Sequence, residues 1–268
     1  MNAGVRTIPF VKASACGNDF LLIDFAFAPA ASEIHEFTRR ICDRHSGIGA
    51  DGVEWMLSHL GADVEVRLIN ADGSDAEISG NGTRCVAAYL CAEQGKERIA
   101  IQTGAGLKTC LLATRSDFQY EFEMAMGTAA VEQENAILTS GGDLRGVRVS
   151  VGNPHFVTFV PQFPPDWQQR AAEIQRAIIF KEGVNVEFVV VEGNHDIGVR
   201  FFERGVGETQ SSGTGSCASA AAAVATGRAE SPVKVHAAGG TQTVRWEGND
   251  IFLRGPARLV GRGEFFPD

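Results

Sequence analysis

The residues whose types and spacing could do chemistry lie in two similar glycine-rich turns. The first, AEISGNGTRC, spans residues 76–85, and the second, ETQSSGTGSC, spans residues 208–217. Each turn places a serine before Gly-x-Gly and leads into an alanine-rich segment that is typical of a helix. A helix that begins at a glycine-rich turn presents backbone N–H groups to an anion. We therefore expect Ser79 and Ser212 to lie at two anion-binding helix starts.

The pairing of the turns suggests a particular reaction. If both helix starts bind one carboxylate ligand, Ser79 and Ser212 approach opposite faces of a single carbon. This is the arrangement of a two-base racemase, in which one group removes the α-proton and another returns a proton. Such a reaction needs no metal and no cofactor, and the sequence has no Walker motif and no G-x-G-x-x-G in a βαβ setting. The alternative interpretation is that the glycines only form sharp turns.

The segments that must position these turns are repeated as well. Two pairs of segments match in the same order: 16–24 with 151–159, and 63–85 with 196–217. Asn18 precedes Ser79 by 61 positions, and Asn153 precedes Ser212 by 59. In each half, an alternating strand is followed by a charged turn, the glycine-rich turn and a helix. The order predicts two similar halves.

The helices after the turns are small and apolar. TRCVAAYLCAEQ (83–94) and GSCASAAAAVATGRA (215–229) are nearly uncharged in their first turns, which indicates helices buried on every side. A sheet around one central helix in each half fits this pattern. The stretch 125–147 is predicted to link the halves, with loop signals at Ser140, Gly141 and Gly142.

Composition narrows the possible functions. The chain has 268 residues and a net charge of −9, and an acidic surface disfavours nucleic acid. No apolar run approaches a membrane span, and the N-terminus has no secretory h-region. The six cysteines form no CxxC motif, so we expect free thiols in the cytoplasm.

Several segments together resemble the diaminopimelate epimerase family. They are NADGSDAEISGNGTRC, GNPHFV, GVNVEFV and ERGVGETQSSGTGSCA, with GNDF near the N-terminus. The resemblance implies an α+β fold of two pseudo-symmetric halves, each a curved mixed β-sheet wrapped around a central helix. The expected halves are 1–126 with 258–268, and 127–257, with the active-site cleft between them. It also implies a homodimer and a cofactor-independent interconversion of LL- and meso-2,6-diaminopimelate.

The resemblance implies roles for individual residues. Substrate-binding asparagines match Asn18, Asn70, Asn153 and Asn185. The pair that binds the substrate's ammonium and distal carboxylate matches Glu203 and Arg204, and arginine suits a carboxylate because its guanidinium binds it bidentately. The turns that hold the α-carboxylate match Gly80, Asn81, Gly213 and Thr214. His155 and Glu208 are possible supporting residues.

One departure from the family concerns its acid and base, which are cysteines at the positions of Ser79 and Ser212. Cys85 and Cys217 match later cysteines and are expected to be core thiols. A serine hydroxyl is a far weaker acid than a thiol and needs an adjacent base. The nearest candidates in sequence are Asp75, Glu77, Glu208 and His155.

Three hypotheses remain open from the sequence. The first is a diaminopimelate epimerase, with serines that are native or introduced to trap an inactive form. The second is a related isomerase of another amino acid or small acid that uses a different base. The third is a binding protein that keeps the amino-acid pocket without turnover.

Overall fold

A computed structural model of the chain describes residues 7–267 and divides into two compact units. Unit 1 contains the described residues up to Met124 together with those from Pro256 onward, and unit 2 runs from Ala125 to Gly255. Within residues 7–267, every helix is too short or too polar to cross a membrane.

Unit 1 contains eight strands in chain order: β1 (Ile8–Ala15), β2 (Asn18–Asp24), β3 (Gly52–Leu57), β4 (Val64–Asn70), β5 (Asp75–Ala76), β6 (Arg98–Thr103), β7 (Gly106–Ser116) and β8 (Gln119–Thr128), the last of which continues past the boundary. Its helices are α1 (Ile34–Cys42) and α2 (Gly80–Gln94), with a short 3-10 helix at Phe25–Phe27. β2 and β3 are parallel, as are β4 and β6, and the other neighbouring strands pair antiparallel.

Unit 2 repeats this order of elements. Its strands are β9 (Ala130–Thr139), β10 (Gly142–Ser150), β11 (Pro154–Phe159), β12 (Asn185–Gly193), β13 (Asp196–Glu203), β14 (Gly207–Thr209), β15 (Val233–Ala237), β16 (Gly240–Glu247) and β17 (Asp250–Phe265), whose end belongs to unit 1. Its helices are α3 (Trp167–Gln175) and α4 (Gly213–Ala225). Parallel pairs again join β11 to β12 and β13 to β15. The α+β fold with one central helix in each unit is therefore confirmed.

Each central helix is buried because its residues are small and apolar. Cys85, Val86 and Ala87 in α2 are fully buried, and α4 buries an uninterrupted run of small residues from Gly215 to Ala223. α2 ends at Gly95, whose φ of 69° is the left-handed conformation that glycine adopts readily. The prediction that Cys85 and Cys217 are core thiols is confirmed, since both are fully buried.

Strand alternation sends neighbouring side chains to opposite faces of each sheet. In β3, Val53 and Trp55 pack with α1 in one hydrophobic cluster, so Glu54 points to the other face, toward α2. In β12, Val186 and Phe188 pack with α3, and Glu187 points toward α4. The same pattern therefore places one glutamate between sheet and central helix in each unit.

The segment that was predicted to be a loop-containing link has a different structure. Residues 130–150 form the antiparallel pair β9 and β10, with their turn at Ser140 and Gly141. The predicted loop signals at Ser140 and Gly141 mark this turn, whereas the two strands beside it were not predicted, because most of β9 is exposed and its few buried side chains, such as Ile137, give only a weak strand pattern.

Candidate active site

Ser79 caps the first central helix. Its backbone is extended, with φ −120°, and its Oγ accepts a hydrogen bond from the N–H of Gly82 at 3.1 Å. Its carbonyl oxygen accepts the N–H of Thr83 at 2.8 Å. A serine cap of this kind leaves the first helical N–H groups directed outward, where an anion is stabilised by them and by the helix dipole.

Ser212 has the same geometry in unit 2. Its φ is −140°, its Oγ accepts the N–H of Gly215 at 3.2 Å, and its carbonyl accepts the N–H of Ser216 at 3.0 Å. The side chain is buried, whereas Ser79 is half-buried. The two turns therefore form equivalent helix starts, each with a serine hydroxyl at the N-cap position.

A second contact occurs at the equivalent place in each unit. In unit 1, Asn81 Nδ2 donates to Asn18 Oδ1 at 2.7 Å. In unit 2, Asn153 Nδ2 donates to Thr214 Oγ1 at 3.4 Å. In each unit, the second residue of the central helix thus contacts an asparagine at or just before the start of a strand, which is β2 in unit 1 and β11 in unit 2. The structure brings these predicted residues together within their own units.

A chain of polar contacts, from Asp51 at the surface to the buried Arg84, holds the first helix start in place. Asn18 Nδ2 donates to Asp51 Oδ2 at 3.1 Å, and Arg84 Nη2 donates to Asn81 Oδ1 at 2.5 Å. Arg84 is fully buried, and its Nε donates to the carbonyl of Pro256 at 3.2 Å. Asp51 and Arg84 were not predicted as site residues, because only the folded structure brings them to the asparagines.

His155 belongs to a buried hydrogen-bonded pair. Its Nδ1 lies 2.7 Å from Glu187 Oε1, and its Nε2 lies 2.9 Å from Asn153 Oδ1. Because the amide oxygen only accepts, Nε2 carries a proton, and a single further proton is shared between Nδ1 and the carboxyl group. Burial raises the pKa of Glu187, and the nearby histidine opposes that rise.

Glu54 is the corresponding carboxyl group in unit 1, without a histidine. Burial alone raises its pKa to about 8. Among residues 7–267 its Oε1 has no hydrogen-bond partner, and the same holds for Glu187 Oε2. An unpaired buried oxygen is costly, and such groups in a folded protein call for a functional explanation.

The last glycine of each Ser-Gly-x-Gly turn makes room for these carboxyl groups. A Cβ on Gly82 would overlap Glu54 Oε1 and would lie 3.3 Å from Ser79 Cβ. A Cβ on Gly215 would lie 3.0 Å from Glu187 Oε1. The glycine that follows each serine by three positions thus separates a helix start from a buried carboxyl group.

Alanine at these glycines should destabilise the protein. Gly82→Ala and Gly215→Ala force a methyl group against a buried carboxyl, and Gly215→Ala also meets the Phe201 ring at 2.8 Å. We expect each to lower the free energy of unfolding by about 1–3 kcal/mol, measured by urea denaturation. Gly80→Ala is the matched control, because the nearest atom to its Cβ is 4.0 Å away. Equal stability of all three variants would contradict the packing described here.

The remaining predicted residues occupy the ends of β4, β12 and β13. Asn185 Oδ1 accepts the N–H of Arg204 at 2.9 Å, and Glu203 Oε1 accepts Thr209 Oγ1–H at 2.7 Å. Arg204 Nη1 donates to a backbone carbonyl at 2.7 Å and is otherwise exposed. Asn70 lies at the end of β4, and its Nδ2 donates to the Ser74 hydroxyl at 3.0 Å.

The carboxylates that lie near the serines in sequence make other contacts. Asp75 is exposed and pairs with Arg67 at 2.9 Å. Glu208 is exposed and accepts a hydrogen bond from Gln168 at 3.1 Å. Neither therefore has a contact with a helix start that would make it the adjacent base.

Glu54 and Glu187, like Asp51 and Arg84, were not predicted as site residues from the sequence. Glu187 follows Glu54 by 133 positions, the same spacing that separates Ser79 from Ser212. Each glutamate also interrupts an apolar strand, in GVEW and NVEF. A charged residue at equivalent positions of two buried strands was the available signal.

The described part of the chain has no group of three or more His, Cys, Asp or Glu side chains arranged to hold a metal ion. All six cysteines are buried, and none forms a disulfide. The groups at the two helix starts offer anion binding by N–H groups and proton transfer through hydroxyl, carboxyl and imidazole groups.

The fold is shared with solved structures of epimerases, racemases and phenazine-biosynthesis proteins. A phenazine biosynthesis protein of the PhzF family from Bacillus anthracis matches with a TM-score of 0.73 at 17% identity, over 97% of this chain and 99% of that one. A hydroxyproline epimerase from Agrobacterium vitis matches with a TM-score of 0.69 at 17% identity, over 97% of this chain and 91% of that one. These likenesses define the class of fold.

Sequence comparison identifies the family. The diaminopimelate epimerase family model matches residues 10–131 and 147–260. Diaminopimelate epimerase from Desulfitobacterium hafniense is 36% identical over 96% of this chain and 98% of its own length. That from Sphingopyxis alaskensis is 37% identical over 95% and 96%. The chain belongs to the diaminopimelate epimerase family, and its class is that of the isomerases; the resemblance stated from the motifs is confirmed.

Proposed function

We propose that this chain interconverts LL- and meso-2,6-diaminopimelate without a cofactor, using Ser79 and Ser212 on opposite faces of one α-carbon. The observation that carries the proposal is the pair of equivalent serine-capped helix starts in a chain of this family.

The α-carboxylate binds at the two helix starts. Backbone N–H groups of Gly80, Asn81, Gly213 and Thr214 surround it. Helix dipoles and unsatisfied N–H groups favour negative charge at these ends. The same groups stabilise the charge that develops on the carboxylate when the α-proton leaves, which lowers the barrier to its removal.

The distal end of the substrate carries an ammonium and a second carboxylate. Glu203 binds the ammonium, and the exposed guanidinium of Arg204 binds the carboxylate bidentately. Four asparagines complete the recognition of the substrate. They are Asn18, which contacts the first helix start, and Asn70, Asn153 and Asn185, which lie at or next to strand ends. This set favours a diamino dicarboxylic acid over a shorter amino acid.

Arg204→Ala should weaken diaminopimelate binding. Loss of a hydrogen bond to a charged group typically removes about 1.5–3 kcal/mol, so we expect the Kd to rise roughly 10- to 150-fold by isothermal titration calorimetry. Arg200→Ala is the matched control, since its guanidinium packs over the Phe163 ring at 5.3 Å instead of lying at a strand end. An unchanged Kd for Arg204→Ala would place the distal carboxylate elsewhere.

The proposal is tested with the chain as given. Calorimetry should show binding of LL- and meso-diaminopimelate, and chiral chromatography should show their interconversion. Proline, glutamate and lysine serve as competing substrates, because a related isomerase would prefer one of them. Absence of diaminopimelate binding would refute the proposed function, and binding without interconversion would support the non-catalytic alternative.

The surroundings of the reaction follow the family. We infer that the protein acts in the cytoplasm as a homodimer, in the synthesis of lysine and peptidoglycan precursors. Six buried cysteines without a disulfide are consistent with a reducing compartment. Size-exclusion chromatography with light scattering tests the dimer, for which the expected mass is twice the 28.6 kDa of the chain.

A further inference from the structure

The two buried glutamates occupy equivalent positions in the repeat. In the strand register, Glu54 lies opposite Leu68, and Glu187 lies opposite Phe201. Both are fully buried, and each lies against the third residue of a central helix. A buried carboxyl group without full pairing is costly. Its occurrence at the same place in both units indicates a role that the two helix starts share.

Each carboxyl group lies beside the serine cap of its own unit. Gly82 donates its N–H to Ser79 Oγ, and the Cβ position of the same glycine is filled by Glu54 Oε1. Gly215 donates to Ser212 Oγ and lies against Glu187 Oε1. The serine and the carboxyl group therefore flank one glycine in each unit. Glu54 Oε1 and Glu187 Oε2 have no hydrogen-bond partner in the described chain.

A serine needs such a neighbour to move a proton. A hydroxyl with no adjacent base holds its proton at neutral pH, in contrast to a thiol at a helix start. The hydroxyl hydrogen is the one donor that serine has, and an unpaired carboxylate oxygen is its natural acceptor. The geometry points to Glu54 and Glu187 as the groups that exchange protons with Ser79 and Ser212 during epimerisation. This inference rests on the proposed function.

Every proton that leaves one group in this mechanism is taken up by another. In one direction, the Glu54 carboxylate takes the hydroxyl proton of Ser79 as Ser79 Oγ takes the α-proton, and the electron pair of the broken C–H bond stays on the substrate. On the opposite face, Ser212 gives its hydroxyl proton to that carbon and takes one from the pair formed by Glu187 and His155. Both serines end as hydroxyls, Glu54 has gained one proton, and the pair has lost one.

The charged and titratable groups around each carboxyl group differ. Near Glu54 is Cys85 on α2, and Cys85 in turn interacts with Arg84, Cys16 and Asp19. Near Glu187 they are His155 on β11 and Glu203 on β13. Proton transfer in unit 1 therefore depends on a carboxyl group whose pKa is about 8. In unit 2 the carboxyl group is hydrogen-bonded to an imidazole.

Glu54→Gln and Glu187→Gln test the inference. Glutamine keeps the shape of a protonated glutamate and cannot accept the proton. In deuterated water, each variant should lose epimerisation by about 100-fold or more. Each variant should also lose exchange of the α-proton with solvent for only one of the two isomers, LL- or meso-diaminopimelate. The affected isomer should differ between the two variants. Diaminopimelate affinity should stay within about threefold. Glu65→Gln, on the neighbouring strand β4, is the matched control for loss of a carboxyl group.

Cysteine at the serine positions separates a proton-transfer role from a structural one. In Ser79→Cys/Ser212→Cys, the thiols lose protons without help, so Glu54→Gln should lower exchange by less than about 10-fold. An equal loss in both backgrounds, or a parallel loss of affinity, would overturn the inference. The inference would also be overturned if only the cysteine variant exchanged the α-proton of diaminopimelate with solvent. That result would leave diaminopimelate as the substrate. Absence of binding by the chain as given refutes the proposed function itself.

Discussion

Ser79→Ala and Ser212→Ala are each expected to abolish epimerisation of diaminopimelate, with a rate at least about 100-fold below that of the unmodified chain. In the proposed mechanism each serine transfers the proton on one face of the α-carbon, and inversion requires both faces. The variants should differ in what they retain. Each keeps solvent deuterium exchange at the isomer whose proton faces the remaining serine, and these are opposite isomers.

The measurement is deuterium incorporation by mass spectrometry, combined with chiral separation of the isomers. Loss of a serine cap also costs about 1 kcal/mol of helix stability, so Ser79→Gly and Ser212→Gly serve as controls that lose the hydroxyl and retain most of the cap's stability. They should behave as the alanine variants do. Epimerisation that survives in either alanine variant would show that the hydroxyl is not on the proton path.

Glu54→Gln should raise the free energy of unfolding at pH 8 by roughly 4 kcal/mol and leave it nearly unchanged at pH 4.5. The pKa of Glu54 is raised from 4.5 to about 8 by burial, so the folded state binds this proton more tightly than the unfolded state. The stabilisation by the protonated group is complete below the unfolded pKa and is lost as the pH rises toward 8. Glutamine does not ionise and escapes that loss.

The pH window isolates this group from the surface carboxylates. Hydrogen bonds from Ser46 and His45 lower the pKa of Asp43 to about 2, so its contribution to stability changes only in more acid solution. Glu187, whose pKa is also raised, is present in both proteins and cancels in the comparison. Urea denaturation of both proteins between pH 4.5 and 9 measures the difference. A difference that does not change with pH would show that Glu54 has an ordinary pKa.

The sequence was sufficient for the features that are local or repeated. The alternation of Val64, Val66 and Leu68 predicted a strand, and the small apolar residues after each turn predicted buried central helices. Ser79 and Ser212 were predicted to lie at helix starts because the Ser-Gly-x-Gly pattern itself provides a cap and a turn. These features depend on residues that are close together along the chain.

The contacts missed from the sequence depend on tertiary packing. Glu54 meets Gly82 only because β3 packs under α2, and the direction of its side chain follows from Val53 and Trp55 filling the opposite face. Sequence distance made Asp75, Glu77 and Glu208 candidate bases, yet Asp75 on β5 and Glu208 on β14 are exposed and have other partners. The Glu187 and His155 contact likewise joins two parallel strands across 32 positions.

A crystal structure of the chain with meso-diaminopimelate tests the central claim most directly. The account predicts one α-carboxylate at both helix starts, with Ser79 Oγ and Ser212 Oγ about 3–3.5 Å from the same α-carbon on opposite faces. A substrate that contacts only one of the two serines, or two serines in separate pockets, would contradict it.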